Sequence, residues 1–220
     1  PLARLMGETS CLSKRDGALV CHAKDPISSG LALDAFVPDN HWATTGADVL
    51  SMGAGGSTIA ISWYLSHRSR GADRPSSIII SNRSQPRLDH IREVNERFET
   101  DTPFEYVLAP AGNDNDRLVE RLAPGALVIN ATGLGKDAPG SPVTDSVVFP
   151  HAGLAWELNY RGDLQFLDQA RASERLRLVE DGYVYFLHGW TQVISEVFDL
   201  EIPPSGPGFD ELARTARAAR

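Results

Sequence analysis

The chain has 220 residues, 42% of them hydrophobic and 23% charged, which is enough apolar material for one large domain, or one domain with a fragment of another, and too much for a disordered tail. Its 21 lysines and arginines against 29 aspartates and glutamates leave a formal net charge of -8, which argues against a phosphate backbone as the main target. The two cysteines, Cys11 and Cys21, form no Cys-x-x-Cys pair and fit a reducing compartment; with no apolar run of membrane-spanning length and no leader-like segment, the expectation is a cytoplasmic protein with neither nucleic-acid nor membrane partners.

From the N-terminus, Asp16-Gly17 between Leu12 to Arg15 and Ala18 to His22 reads as a two-residue hairpin turn, because both residues accept the positive φ such a turn needs. Leu5 to Val20 carries no capped helix, and the hairpin has no upstream sheet to join, so a region preceding Pro1 is expected. After residue 40 one alternation repeats. Ala47 to Met52 is a short strand running into Gly53-Ala54-Gly55-Gly56, and Ser57 to Ser66 then places Ile59, Ala60, Trp63 and Tyr64 on one helical face. Ile78-Ile79-Ile80, apolar on both faces, has the character of a buried parallel strand. Leu88 to Phe98 follows as an amphipathic helix, Phe104 to Leu108 as a strand, and Asn113 to Leu122 as a helix whose Asp114 and Asp116 suit its positive end. Ala126 to Asn130, Leu154 to Asn159 and Leu176 to Glu180 are three more strands, with Leu164 to Ala172 as a helix between the last two. Tyr183 to Phe198 is a long closing helix, and after the break Pro203 to Gly208 a solvated helix is expected over Leu212 to Arg220. This order specifies an α/β fold with a doubly wound parallel sheet of Rossmann type.

Chemistry enters at the glycine turn. Gly53-x-Gly55, directly after a strand and before a helix, lets the backbone approach a pyrophosphate that the helix N-terminus then meets with free N–H groups. Thr58 stands where the third glycine of a dinucleotide fingerprint would be. The second strand would end in an acidic residue if the ribose hydroxyls of NAD were to be held; here it runs into Ser81-Asn82-Arg83-Ser84-Gln85-Pro86-Arg87. Two guanidiniums and a hydroxyl suit a ribose 2′-phosphate, so NADP is the expected cofactor. The six histidines are scattered without ligand spacing and imply no metal, and Ser57 lacks the flanking glycines of a nucleophile elbow.

Gly53-Ala54-Gly55-Gly56, Asn82-Arg83-Ser84-x-x-Arg87 and Asn130-Ala131-Thr132-x-x-Gly135, taken in order, resemble the cofactor domain of the shikimate and quinate dehydrogenases, over Gly7 to Leu200. The resemblance implies that residues 1–24 are the C-terminal end of a substrate domain, 25–200 an NADP-binding domain with its closing helix, and 201–220 a tail. It implies that Asn130, Ala131 and Thr132 lie beside the nicotinamide-side ribose. Asp25, within Ala23-Lys24-Asp25-Pro26, takes the place of the family's catalytic aspartate, whose lysine partner comes from the N-terminal half. Lys24, next to Asp25 on an extended segment, should point to the opposite side.

The chain also departs from the family. Leu158 replaces a substrate-facing tyrosine, Tyr185 a methionine and Gly189 a substrate glutamine, with Gln192 the nearest glutamine; Tyr183, Tyr185 and His188 are candidate replacement polar groups. The implied activity is hydride transfer between NADP and a ring alcohol or ketone of shikimate, 3-dehydroshikimate or a related hydroxylated cyclic acid, as in the shikimate pathway of aromatic amino acid biosynthesis. The departures shift the expectation towards a related polyol or cyclic acid, because a site loses discrimination when its hydrogen-bonding partner for a hydroxyl goes. Two alternatives stand beside this reading: a non-catalytic NADP-binding module, and a reductase of another glycine-turn family such as the glutamyl-tRNA reductases, against which the acidic charge counts. A homodimer is compatible with each.

Overall fold

The computed structural model describes residues 2–218. Six parallel strands form the central sheet in the order β5-β4-β3-β6-β7-β8. They are β3 (Val49–Met52), β4 (Ile78–Asn82), β5 (Phe104–Leu108), β6 (Leu127–Asn130), β7 (Gly153–Glu157) and β8 (Leu176–Glu180). The chain starts in the middle at β3, winds outward to β5, returns beside β3 as β6 and winds to the other edge. This is the doubly wound arrangement, with its switch point between β3 and β6.

The strand sequences explain why the sheet is covered on both sides. Val49, Ile78, Ile80, Leu127, Ile129, Leu154 and Trp156 pack on one face with α4 (Gly56–Ser66) and α5 (Gln85–Asn95). The alternate residues Leu50, Met52, Ile79, Val128 and Ala155 pack on the other with α6 (Gly112–Glu120) and α7 (Gln165–Arg171). Successive strand side chains point to opposite faces, so a continuous apolar run is what a sheet buried on both sides requires.

The hairpin forms as expected, β1 (Cys11–Arg15) pairing antiparallel with β2 (Ala18–His22). Asp16 at φ 48 and Gly17 at φ 81 supply the two left-handed residues of its turn. It joins no larger sheet among the described residues and rests instead on α8 (Tyr183–Phe198). There Glu196 receives Lys24 at 2.5 Å, His22 at 3.3 Å and Arg15 at 3.8 Å. A short α1 (Leu2–Met6) precedes it and tucks Met6 into the core.

Besides α1, two more helices among the described residues fall where no helix was expected, α2 (Asp25–Phe36) and α3 (His41–Thr45). The extended reading of Lys24 and Asp25 is thereby corrected: Asp25 opens α2, with Pro26 in the first turn, where a missing N–H leaves no hydrogen bond unmade. The hydroxyls of Ser28 and Ser29 bond back to carbonyls of the same turn. No apolar stripe announces α2, because it lies between α4 and α8 and packs small residues closely; a Cβ on Gly30 would come within 2.4 Å of the Tyr64 ring.

The C-terminal helix also departs from expectation. α9 (Pro207–Ala218) begins inside the expected break and is not wholly solvated: Phe209 stacks on His188 at 4.5 Å, and Arg217 lies over the Tyr183 ring. Ala219 and Arg220, the last residues of the expected helix, lie outside the described residues. No helix among the described residues is long and apolar enough to cross a membrane.

Candidate active site

The glycine turn leaves β3 at the switch point, squeezed between two neighbouring strands. Gly53 donates its N–H to the Ser81 carbonyl at 2.8 Å and adopts φ 121, and a Cβ there would lie 2.5 Å from the Ala131 carbonyl oxygen. Both the φ and the space demand glycine. Gly53→Ala is expected to destabilise the chain by about 1–3 kcal/mol, read as a shift in the denaturant midpoint. Gly55→Ala, at a site with no atom within 4 Å of the new methyl group, serves as the tolerated control; equal midpoints for the two variants would show that the Gly53 turn relaxes.

Gly55 caps α4 without a side-chain acceptor, so the first-turn N–H groups of this 11-residue helix face the turn. Thr58, in the third-glycine place, is buried; its hydroxyl donates to the Gly53 carbonyl at 2.8 Å and hydrogen-bonds Ser51 at 3.1 Å, tying helix, turn and strand together. The Glu8 carboxyl packs against Gly56, where a Cβ would meet its oxygen at 2.0 Å. Burial, and then the charge of Asp25, push Glu8 above the ordinary carboxylate range.

A groove of about 480 Å³ runs from this turn across the carboxyl ends of β4 and β6. At the β4 end the Asn82 side chain accepts the Ser84 N–H at 2.9 Å, a local turn that sets Arg83 and Ser84 on the groove before α5 begins. Arg83 and Arg87 both line the groove and are exposed. Its one carboxylate-bearing lining residue among those described is Asp137, on the loop after β6.

That loop is held by a buried network. Glu157, fully buried at the end of β7, accepts from the Asn130 amide at 2.6 Å and from the Asn159 N–H at 2.8 Å. Asn130 in turn accepts from the Thr132 N–H at 3.0 Å and from its hydroxyl at 2.6 Å. The Asn159 amide donates to the carbonyls of Thr132 and Leu134. Burial pushes the Glu157 carboxyl up to about 7, against the pull of these donors and of Lys136.

Ala131, Thr132 and Gly133 form the wall between the groove and a second cavity of about 580 Å³. Asp25 lines this cavity, its carboxylate accepting the Ser10 hydroxyl at 2.9 Å. Lys24 does not line it; its ammonium is taken by Glu196. Of the positions singled out for substrate contact, Leu158, Tyr185 and Gly189 line the cavity, and Tyr185 reaches the Ser57 hydroxyl at 3.4 Å. Gln192, Tyr183 and His188 do not: the Tyr183 hydroxyl donates to the Ala213 carbonyl, and His188, whose basicity burial lowers, supports Phe209 of α9.

Sequence reasoning missed Glu8, Lys136, Glu157, Tyr160 and Trp190. For Glu157 a signal existed, a lone acid at the end of the otherwise apolar strand Leu154-Ala155-Trp156. The other four are placed by chain folding alone. Asp116, read as a helix-end charge, instead tethers Thr144 across the loop after β6, whereas Asp114 accepts the Ala111 N–H at the start of α6.

No protein-family model matches the chain. Among curated proteins it is 25% identical over 161 residues to the shikimate dehydrogenase (NADP(+)) of Lactococcus lactis subsp. cremoris, covering 73% of this chain and 53% of that one. It is 26% identical over 171 residues to that of Streptococcus pneumoniae, covering 77% and 56%. The chain thus spans just over half the length of the curated relatives it matches. Among solved structures, the shikimate 5-dehydrogenase of Listeria monocytogenes, in complex with shikimate and NAD, superposes with a TM-score of 0.71 at 18% identity, over 99% of this chain and 70% of that one. The ligand-free 5-ketofructose reductase of a Gluconobacter species superposes with a TM-score of 0.66 at 18% identity, over 100% and 72%. Over about three quarters of its length this chain is similar in sequence to shikimate dehydrogenases (NADP(+)), and it shares their fold over nearly all of it.

Proposed function

We propose that the chain is the cofactor-binding part of an NADP-dependent oxidoreductase of shikimate dehydrogenase type, acting on a ring alcohol or ketone of a small hydroxylated substrate. The observation that carries this is the shared wall Ala131 to Gly133, which sets the groove that starts at the glycine turn against the cavity containing Asp25. The groove fits the cofactor: the Gly53 turn admits close backbone approach, the α4 N-terminus suits a pyrophosphate, and Arg83, Ser84 and Arg87 suit a 2′-phosphate. Both curated relatives carry NADP(+) in their names.

When bound, the nicotinamide supplies or takes up the hydride. This chain's residues do the rest in this reading. Gly53 and Ala54, which line the groove, would hold the pyrophosphate, with Gly55 and Gly56 opening α4 next in the chain, outside the groove's lining. Asn130, held by Glu157, fixes Thr132 and with it the wall that would take the nicotinamide end. Asp25, oriented by Ser10, accepts a hydrogen bond from the reacting hydroxyl and so fixes its direction. In domain terms residues 1–24 belong with the substrate side, 25–200 with the cofactor side, and 201–220 form the tail.

The test is a titration of NADP+ and NAD+ followed by initial rates of NADP+ reduction with shikimate and with quinate. Preferential NADP+ binding is the expected result, with turnover in the longest natural form of the protein. Binding without turnover on any ring alcohol would favour the non-catalytic module, and absence of dinucleotide binding would overturn the reading altogether.

A further inference from the structure

Strand order fixes how a dinucleotide must lie in the 480 Å³ groove. β4, β3 and β6 are neighbours in that order. With the 2′-phosphate at Arg83 after β4 and the pyrophosphate at the Gly53 turn after β3, the second ribose falls beyond the turn, at the segment that follows β6. That segment carries Asp137, the one carboxylate-bearing lining residue of the groove among those described. A carboxylate in a groove that takes a polyanion repels the ligand wherever it meets a phosphate.

The position of Asp137 avoids that repulsion. It lies past the glycine turn, beside the wall residue Gly133, where a Cβ would stand 3.1 Å from the Asp137 Oδ2. It also lines the second cavity and so marks the junction of the two sites, where NADP presents hydroxyls and no phosphate. An ionised carboxyl is an acceptor only, with two oxygens, which complements a vicinal diol. At the second strand of NAD-binding sheets an acid takes the hydroxyls of the other ribose by the same chemistry.

The loop is built to hold this side chain in place. The Asp137 N–H donates to the Gly133 carbonyl at 2.8 Å, and the Gly135 N–H to the Ala138 carbonyl at 2.7 Å. Gly135 takes φ 88, and a Cβ on Gly162 would collide with its carbonyl, so the chain after β7 packs directly on this turn. The Lys136 ammonium lies 3.3 Å from Oδ2 and offsets part of the charge, yet the Asp137 side chain stays 63% exposed. The backbone is fixed and the carboxylate is open to a ligand.

Resting on the cofactor reading above, we infer that the Asp137 carboxylate holds the nicotinamide-side ribose of NADP by accepting hydrogen bonds from its two hydroxyls. Asp137 is then a cofactor-binding residue at the far end of the groove from Arg83.

The test is a calorimetric titration of the wild-type chain and Asp137→Ala with three ligands. They are NADP+, 2′-phospho-ADP-ribose, which ends in the second ribose, and adenosine 2′,5′-bisphosphate, which lacks it. Asp137→Ala is expected to weaken the first two by about fivefold to twentyfold, the loss of charge-assisted hydrogen bonds at an exposed site, without weakening the third. Asp137→Asn, which keeps one acceptor oxygen, should recover part of the loss. Unchanged NADP+ affinity in Asp137→Ala overturns the inference. So does an equal loss for all three ligands, which marks Asp137 as a residue of loop shape, and so does a loss confined to NADP+, which moves its contact to the nicotinamide ring. Failure of NADP+ to bind the wild-type chain overturns the cofactor reading and this inference with it, so the wild-type titration alone tells the two failures apart.

Discussion

Replacing Arg83 by alanine is expected to weaken NADP+ binding by about tenfold to a hundredfold and to change NAD+ binding little. The physical basis is local. Arg83 and Arg87 line the β4 end of the groove, and among the described residues no carboxylate lines that end to receive the ribose hydroxyls. A guanidinium–phosphate contact is a charge-assisted, fork-shaped hydrogen bond worth about 1.5–3 kcal/mol, and NAD+ lacks the phosphate that makes it. The Asn82 side chain holds the Ser84 N–H independently of Arg83, so the loop should keep its shape in the variant. Arg83 is exposed, and the loss should therefore shrink in high salt, as screening of a solvent-facing pair requires. Parallel titrations with the two dinucleotides read the effect directly. An equal loss for both would sink the 2′-phosphate assignment and mark Arg83 as a residue of loop shape.

Glu157 should make the stability of the chain depend on pH in an unusual direction. Its carboxyl is pushed from 4.5 to about 7 by burial, so between those values the folded state holds a proton that the unfolded state has released. The folded state is then the one favoured by protons, and stability falls as pH rises through this window and levels off above about pH 7. The gap of about two and a half units corresponds to about 3 kcal/mol at full extent. Glu157→Gln removes the titration. Its amide presents a donor to either Asn130 or the Asn159 N–H, which costs a pH-independent offset of about 1–3 kcal/mol. Unfolding free energies from about pH 5 to about pH 8 should therefore show Glu157→Gln gaining steadily on the wild type. Parallel curves for the two proteins would place the Glu157 carboxyl at an ordinary value. Glu157→Leu, which leaves the Asn130 amide and the Asn159 N–H without their acceptor, also removes the titration; it should lose about 2–3 kcal/mol at the acid end of the window, a deficit that narrows as pH rises, and loosen the wall at Thr132.

The sheet and its coverage were readable in the chain because their causes are local. Ile78-Ile79-Ile80 is apolar on both faces, and the period-two alternation fills both layers whichever helices supply them. The Asp16-Gly17 turn needs positive φ at two consecutive residues, a demand that residue type alone expresses. Gly53 and Gly55 between a strand and a helix, and the acid-free stretch after β4, likewise carry their meaning in identity and order. By itself, then, the sequence determined the fold class, the hairpin, the glycine turn and the two arginines at the groove. Tertiary structure alone decided the rest. Helix α2 has no apolar stripe because two other helices cover it, so its buried positions are small residues whose role depends on the Tyr64 ring from elsewhere in the chain. The engagement of Lys24 depends on Glu196, and the position of Glu8 on a glycine nearly fifty residues away. The lining of the second cavity draws residues from the N-terminal segment, α2, the loop after β6 and α8. Electrostatic interaction depends on distance in space and on burial, and neither quantity exists until the chain has brought those segments together.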